Sequence, residues 1–426
     1  MPIFNNHTHI HNPPSARTVS SISIPSTRRE FPQSGFKTIP PTKRIEEERL
    51  PSYRPEDYYP VYIGEVFRSR YQVVCKLGYG TSSTVWLCRD LWNNQYLTLK
   101  VCVRAGRKNH EITISNYLKN QNRALNHPGR KRVRIVIDCF DIHGPHGTHN
   151  CLLYETLGQS YTDLISSLPD GDRNSLPKDL LQRGITLLLM ALDYLHEAGV
   201  VHTDVSSNNL LQGIEDPSIL SRMEEDEMKH PTARKILPDR HIYCSRQMPP
   251  SAGFPVLCDL DQARIGCEKQ HGDIMPGIYR APEVILDMEW NEKVDIWAVG
   301  MTAWDLFEGS QMFFARRNGL LSNEEHLAEM VSLLGPPPAD FLRRSERSWR
   351  YFDDRGTWKG TIPIPNETLQ SREHKLYPND QHHFISFLRK ILRWKPEERP
   401  SAAELVTDDF LLAGIGETRE SIMRRK

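Results

Sequence analysis

Residues 201–211 read V-H-T-D-V-S-S-N-N-L-L and set an acid and an amide, Asp204 and Asn209, five positions apart. Such a pair suits phosphoryl transfer: the carboxylate can accept a proton from an attacking hydroxyl, and the amide oxygen can hold a metal ion on the phosphates. Upstream, the apolar run Q-Y-L-T-L-K-V-C-V carries Lys100. An unpaired ammonium is costly to bury, so Lys100 calls for phosphate and carboxylate partners. Glu111, in N-H-E-I-T-I-S-N-Y-L, is the candidate carboxylate. Further upstream, K-L-G-Y-G-T-S-S-T-V-W-L places Leu77, Gly78, Tyr79 and Gly80 in a turn between β-prone segments. Backbone without Cβ atoms can close over phosphates there, and Val85 can pack on a base. Downstream, F-P-V-L-C-D ends a strand-forming run on Asp259. Each signal alone has an ordinary reading as a hairpin, a surface charge or a turn residue. Their order along one chain is what argues for a site.

The elements that must position these groups are legible from periodicity. Residues 177–198 place Leu180, Leu181, Ile185, Leu188, Leu189, Leu192 and Leu195 at helical spacing, which predicts a helix delivering the 201–211 loop to a cleft. Alternation from Tyr71 predicts the strand that enters the glycine turn. After His127-Pro128-Gly129, the runs V-R-I-V-I-D-C-F and N-C-L-L-Y-E-T-L-G predict a hairpin leading into a hinge. Tyr154 would line the back of a nucleotide pocket, and the backbone at Glu155 and Leu157 would meet the base edge. Residues 213–253 interpose a charged helix-like piece and a Pro-rich end between Asn209 and Asp259. Residues 1–52, rich in Ser, Pro, His and Arg without hydrophobic periodicity, are expected as a disordered arm. A metal site at His7, His9 and His11 in such an arm is disfavoured. Residues 413–426 end in a short basic tail.

Lys plus Arg and Asp plus Glu number 54 each among 426 residues, so no global field favours nucleic acid or a membrane surface. Eight scattered cysteines, with no C-x-x-C pair, are expected as free thiols in a reducing compartment, cytoplasmic or nuclear. No apolar run approaches bilayer length.

With these residues in view, the chain resembles eukaryotic protein kinases, and most closely the serine/arginine-rich protein kinase family in its fungal form. The resemblance spans residues 53–412 and rests on Y-Y-P-V-Y-I-G-E-V-F, L-G-Y-G-T-S-S-T-V-W-L, H-T-D where most kinases have H-R-D, the insertion, and Y-R-A-P-E-V-I-L. It implies an α+β bilobal fold: a small β-rich lobe over 53–157, a larger helical lobe over 158–412, and ATP with magnesium between them. By resemblance Asp204 is the base, Asn209 and Asp259 hold Mg2+, Lys100 with Glu111 anchors the phosphates, and Glu283 pairs with Arg399. Asp295 would brace the catalytic loop. The substrates implied are proteins, including Arg/Ser-rich splicing-type proteins docked on acidic side chains such as Glu324 and Glu325. Glu324 and Glu325 read equally as the acidic start of a helix. A monomer without direct nucleic-acid contact is expected.

Four departures bear on activity. Thr203 replaces the arginine that binds a phosphorylated activation segment, and residues 262–278 contain no Ser, Thr or Tyr, so activation by phosphorylation there is not expected. Ser206 replaces a catalytic-loop lysine, Pro276 replaces a threonine that bonds that lysine, and Asp261 replaces a glycine. Loss of such a cation weakens transition-state stabilisation. The alternative to an active kinase is therefore a pseudokinase scaffold. A small-molecule kinase of aminoglycoside type lacks the A-P-E element and is set aside.

Overall fold

The fold is given by a computed structural model that describes residues 26–104, 109–121, 126–168, 175–266, 268–376 and 378–412. The His7, His9 and His11 cluster and the basic tail at 413–426 lie outside these residues. Alternating apolar residues build strands β1 (Val66–Phe67), β2 (Tyr71–Tyr79), β3 (Ser83–Asp90) and β4 (Gln95–Cys102). Helix α1 (His110–Lys119) follows, started by Asn109, whose side chain accepts from Ile112 N at 3.2 Å. Strands β5 (Asp138–Gly144) and β6 (Gly147–Glu155) complete an antiparallel six-stranded sheet of order β1-β2-β3-β4-β6-β5.

The second lobe is helical. Short α2 (Tyr161–Ser166) precedes α3 (Lys178–Glu197), which buries Leu181, Ile185, Leu188, Leu189, Leu192 and Leu195. Each contributes about 2 kcal/mol of apolar burial. Leu180, expected on the same stripe, is 41% exposed, because the stripe is narrower than the run of leucines suggests. Ribbons follow: β7 (Val200–Val201), β8 (Leu210–Gln212), then α4 (Ser218–Lys229), β9 (Arg234–Ile236), β10 (His241–Tyr243), β11 (Pro255–Leu257) and β12 (Arg264–Ile265). Helix α5 (Pro282–Ile285) carries the A-P-E glutamate, and α6 (Lys293–Glu308) is buried on nearly every face. A hairpin of β13 (Arg316–Arg317) and β14 (Leu320–Leu321) leads into α7 (Asn323–Leu334). Helices α8 (Ala339–Leu342), α9 (Leu369–Arg372), α10 (Pro378–Ile391) and α11 (Ala402–Leu405) close the lobe. No described helix is long and apolar enough to cross a membrane.

The insertion does not stay with the lobe it leaves. Ile219, Leu220 and Met223 of α4, with Tyr243 and Met248, share one apolar cluster with Val73, Cys75, Trp86 and Leu99 of the β-sheet. The disordered arm expected over 1–52 is corrected from residue 26 onward. Thr38 forms a parallel bridge with Arg234 of the insertion, Ser26 N donates to Leu91 O at 2.7 Å, and Phe31 and Ile45 are buried. Charge explains why so polar a segment orders. The buried ammonium of Lys76 is met by Glu47, and that of Lys235 by Glu48 at 2.6 Å. Of the described cysteines, Cys75, Cys88, Cys102, Cys151 and Cys258 are buried free thiols, while Cys139 is exposed.

Candidate active site

Two ribbons set the catalytic geometry. β8 pairs with β11, Leu210 opposite Leu257, which fixes Asn209 beside the loop that carries Asp259; Cys258 N donates to Asn209 O at 2.8 Å. β7 pairs with β12, Val201 opposite Arg264, closing the other side. Between them Asp295, fully buried at the start of α6, accepts His202 N and Thr203 N at 2.8 Å each and His196 Nε2 at 2.9 Å. Those bonds hold Thr203 at φ +67°, a conformation an L-residue adopts only when its surroundings over-determine it. Thr203 Oγ1 also donates to Gln262 O at 2.8 Å. The His202 ring accepts from Asp204 N through Nδ1 at 3.2 Å and donates through Nε2 to Cys258 O at 3.0 Å. One imidazole thus couples the Asp204 loop to the Asp259 loop. In the sequence the histidine of H-T-D is visible only as part of a motif, with no role attached to it.

Asn209 Nδ2 donates to the Asp204 carbonyl at 2.8 Å and to Asp204 Oδ2 at 3.0 Å. With its nitrogen so committed, Oδ1 is the atom that can ligate a cation. On the other side of the cleft, Lys100 sits on β4 opposite Val85 of β3 and Leu152 of β6. Its Nζ donates to Glu111 Oε2 at 2.8 Å and reaches Asp259 Oδ1 at 3.4 Å. Burial alone would push the Lys100 ammonium down, but Glu111 and Asp259 override it and hold it above its ordinary value. Asp259 answers in kind: burial would raise it, and Lys100 with His202 brings it below the usual carboxylate range. Asp204 goes the other way, raised first by burial and then by the Asp259 and Asp295 charges, against the opposing His202 and Asn209.

The structure therefore gathers Lys100, Glu111, Asp259, Asp204 and Asn209 from both lobes. Leu77, Gly78, Tyr79 and Gly80 form the β2 to β3 hairpin, Gly78 opposite Val85, with Gly80 N donating to Ser83 O at 2.8 Å. A Cβ on Gly78 or Gly80 would meet no protein atom within 4 Å, so internal packing does not require glycine there. Bare backbone at these two positions leaves room for phosphates to approach closely. Tyr154 and Leu157 are buried; Glu155 is exposed, and its carbonyl accepts from Arg134 Nη2 at 2.9 Å. Arg134, unmarked in the sequence, also lies over the Tyr154 ring at 4.6 Å. These donors fit a magnesium-bound nucleoside triphosphate: oxygen ligands at Asn209 and Asp259, a paired ammonium at Lys100, and bare backbone at the glycines.

The departures have places too. Ser206 is buried in the catalytic loop, and Pro276 lines, with Asp204, Thr203, Met275 and Arg280, a cavity of about 290 Å³. Asp261 Oδ2 accepts from Gln262 Nε2 at 3.2 Å. Glu283 takes a bidentate pair from Arg399 at 2.6 and 2.7 Å, both side chains within 1% of full burial. Glu324 is already engaged by Thr361 Oγ1 at 3.0 Å. One further acidic group, His127, Asp193 and Glu197, does not fit a metal. His127 Nδ1 accepts from Gly129 N at 3.0 Å, so Nε2 carries the proton toward Asp193 and no lone pair remains for an ion.

The protein kinase domain family matches residues 71–220 and 252–411, and the chain belongs to that family. The two matched stretches leave out residues 221–251, within the insertion, and include Lys100, Glu111, Asp204, Asn209 and Asp259. A serine/threonine protein kinase of Aspergillus fumigatus is 43% identical over 91% of this chain and 96% of its own length. The serine/threonine-protein kinase SRPK of Physarum polycephalum is 27% identical over 86% of this chain and 91% of its own, and protein kinase dsk1 of Schizosaccharomyces pombe 25% over 86% and 85%. A crystal structure described as a kinase domain superposes with a TM-score of 0.63 at 24% identity, over 83% of this chain and 99% of the other, sharing the fold. The chain is a serine/threonine protein kinase with serine/arginine-rich protein kinase relatives, as its motifs implied. Protein kinases use ATP and magnesium.

Proposed function

We propose that the chain transfers the γ-phosphoryl group of ATP to seryl hydroxyls of proteins, and that it does so with its own Asp204 as base. The observation that carries this is the junction of Lys100 with Glu111 and Asp259 across the cleft from the Asp204 and Asn209 pair. Lys100, oriented by Glu111, holds phosphate oxygens by charge. Asn209 Oδ1 and the Asp259 carboxylate present hard oxygen ligands that would hold a magnesium ion, which would supply charge neutralisation at the phosphates. Asp204 Oδ2, steered by Asn209, accepts the proton of the incoming hydroxyl, and its raised pKa makes it a stronger base than an exposed carboxylate.

Lys100→Met and Asp204→Asn should each abolish transfer of labelled phosphate to a mixed serine-peptide panel, while Asp204→Asn retains ATP-dependent thermal stabilisation. Transfer unaffected by Asp204→Asn sinks the reading. Arg/Ser-rich tracts are the finer substrate class, supported by the kinship with the SRPK-named kinase. Glu324, one of the two acids considered for docking them, has its carboxylate bonded within the fold.

A further inference from the structure

The tip of the β2 to β3 hairpin is held by a group from outside the sheet. Tyr58, in the run Y-Y-P-V-Y-I-G-E-V-F, places its hydroxyl 3.0 Å from Gly80 O and 3.3 Å from Thr81 O and donates to these carbonyls. Packing does not hold the glycines, since a Cβ on Gly78 or Gly80 would meet no protein atom within 4 Å. The phenol itself is firmly set. Tyr58 is 6% exposed, and its ring lies 5.0 Å from that of Tyr53. Arg240 of the insertion, itself buried, donates through Nη1 to Pro55 O at 2.5 Å and to Tyr58 O at 3.3 Å. From the end of β4, Arg104 N donates to Asp57 O at 2.7 Å. Burial, then the charges of Glu47 and Asp57, raises the phenol above its ordinary pKa, so the hydroxyl keeps its proton and remains a donor.

The direction of this pin decides what the hairpin can offer. In a trans peptide the carbonyl and the next N–H point opposite ways. With the Gly80 and Thr81 carbonyls turned to Tyr58, the N–H groups of Thr81 and Ser82 are turned away from it. Among the described residues neither N–H has a protein acceptor, whereas Gly80 N, one residue earlier, is bonded to Ser83 O. Successive backbone N–H groups left open in a turn are donors for an anion.

We propose that Tyr58 is a positioning residue for the nucleotide: its hydroxyl holds the hairpin tip so that Thr81 N and Ser82 N donate to the triphosphate. The inference rests on the kinase reading above and deepens it. It gives the segment before the sheet, and through Arg240 the insertion, a part in gripping phosphates. Tyr58 acts through the hairpin backbone and not on the reacting atoms.

Isothermal titration calorimetry on the full chain, with magnesium-ATP and with adenosine, tests this. Adenosine fills the base site without phosphates, so the ratio of the two affinities separates the grip on the triphosphate from the soundness of the fold. Tyr58→Phe, which removes one hydroxyl from a retained ring, should weaken magnesium-ATP about fivefold, the worth of one hydrogen bond, and leave adenosine within about twofold. In turnover the same variant should raise KM for ATP and leave KM for peptide unchanged. Tyr59→Phe makes the same chemical change at the next residue, whose hydroxyl donates to Glu65 Oε1 at 3.0 Å, and should leave the ratio as in wild type. An unchanged ratio in Tyr58→Phe, or an equal fall in Tyr59→Phe, overturns the proposal. So does a wild type that binds ATP no more tightly than adenosine. Because binding is read without turnover, a selective loss in Tyr58→Phe by a protein that transfers no phosphate counts against the kinase reading alone. Phosphate transfer with an unchanged ratio in Tyr58→Phe counts against the pin alone.

Discussion

Lys100 holds the ion pair on which the cleft depends. Glu111 is 2% exposed, so Lys100→Met leaves a buried carboxylate without its cation. The expected cost is about 3–5 kcal/mol, read as a fall in the denaturation midpoint, in addition to lost transfer. Asp204 makes a contrary prediction. Its folded pKa is raised, so ionisation is easier in the unfolded chain. Its favourable contribution is therefore complete below the unfolded pKa and is lost as pH rises through the folded value. At neutral pH the ionised group is a burden, so Asp204→Asn should denature at a higher temperature than wild type while inactive. The same shift moves the acid limb of kcat/KM upward from the ordinary Asp value. A limb shifted downward from it would show that Asp204 is not the base. Ser206 occupies the place of a phosphoryl-stabilising lysine, and Ser206→Lys should raise kcat about tenfold or more, since one charged donor at a developing oxyanion is worth roughly 3 kcal/mol. Asp204, Asn209, Lys100 and Asp259 were legible because phosphoryl chemistry restricts which residues can serve at each place. The His202 bridge was not, since the donor pattern of one imidazole depends on carbonyls brought by another strand.

At the scale of elements, helix α3 and the β2 to β3 hairpin follow directly from period and turn chemistry, and their bounds lie within a few residues of expectation. The N-terminal segment did not. Its composition reads as unfolded because the apolar surface that orders Phe31 and Ile45, and the ammonium groups that need Glu47 and Glu48, belong to β2 and to the insertion. A local window cannot register partners nearly two hundred residues away. Glu47→Ala should leave the buried Lys76 with the longer contact to Glu46 at 3.6 Å and cost about 3 kcal/mol, whereas Arg44→Ala, at an exposed basic residue of the same segment, should cost under about 0.5 kcal/mol. Chemical denaturation of the two variants distinguishes them, and equal midpoints would refute the role given to the segment.

The two lobes are joined by more than the hinge. The insertion leaves the helical lobe after Gln212, lays Ile219, Leu220 and Met223 on the β-sheet, and returns at Pro255 to pair with β8. Glu283 and Arg399 lock the far side of the helical lobe with a fully buried bidentate pair. The insertion's apolar contacts thus tie the helical lobe, which supplies Asp259, to the sheet that supplies Lys100. If Lys100, Glu111, Asp204, Asn209 and Asp259 act as one phosphoryl-transfer centre, single-turnover transfer of labelled γ-phosphate from ATP and magnesium depends on each of them. Wild type should phosphorylate serine peptides, with loss in D204N, in N209A and in D259A. Transfer that persists at the wild-type rate in D259A or D204N would contradict that dependence.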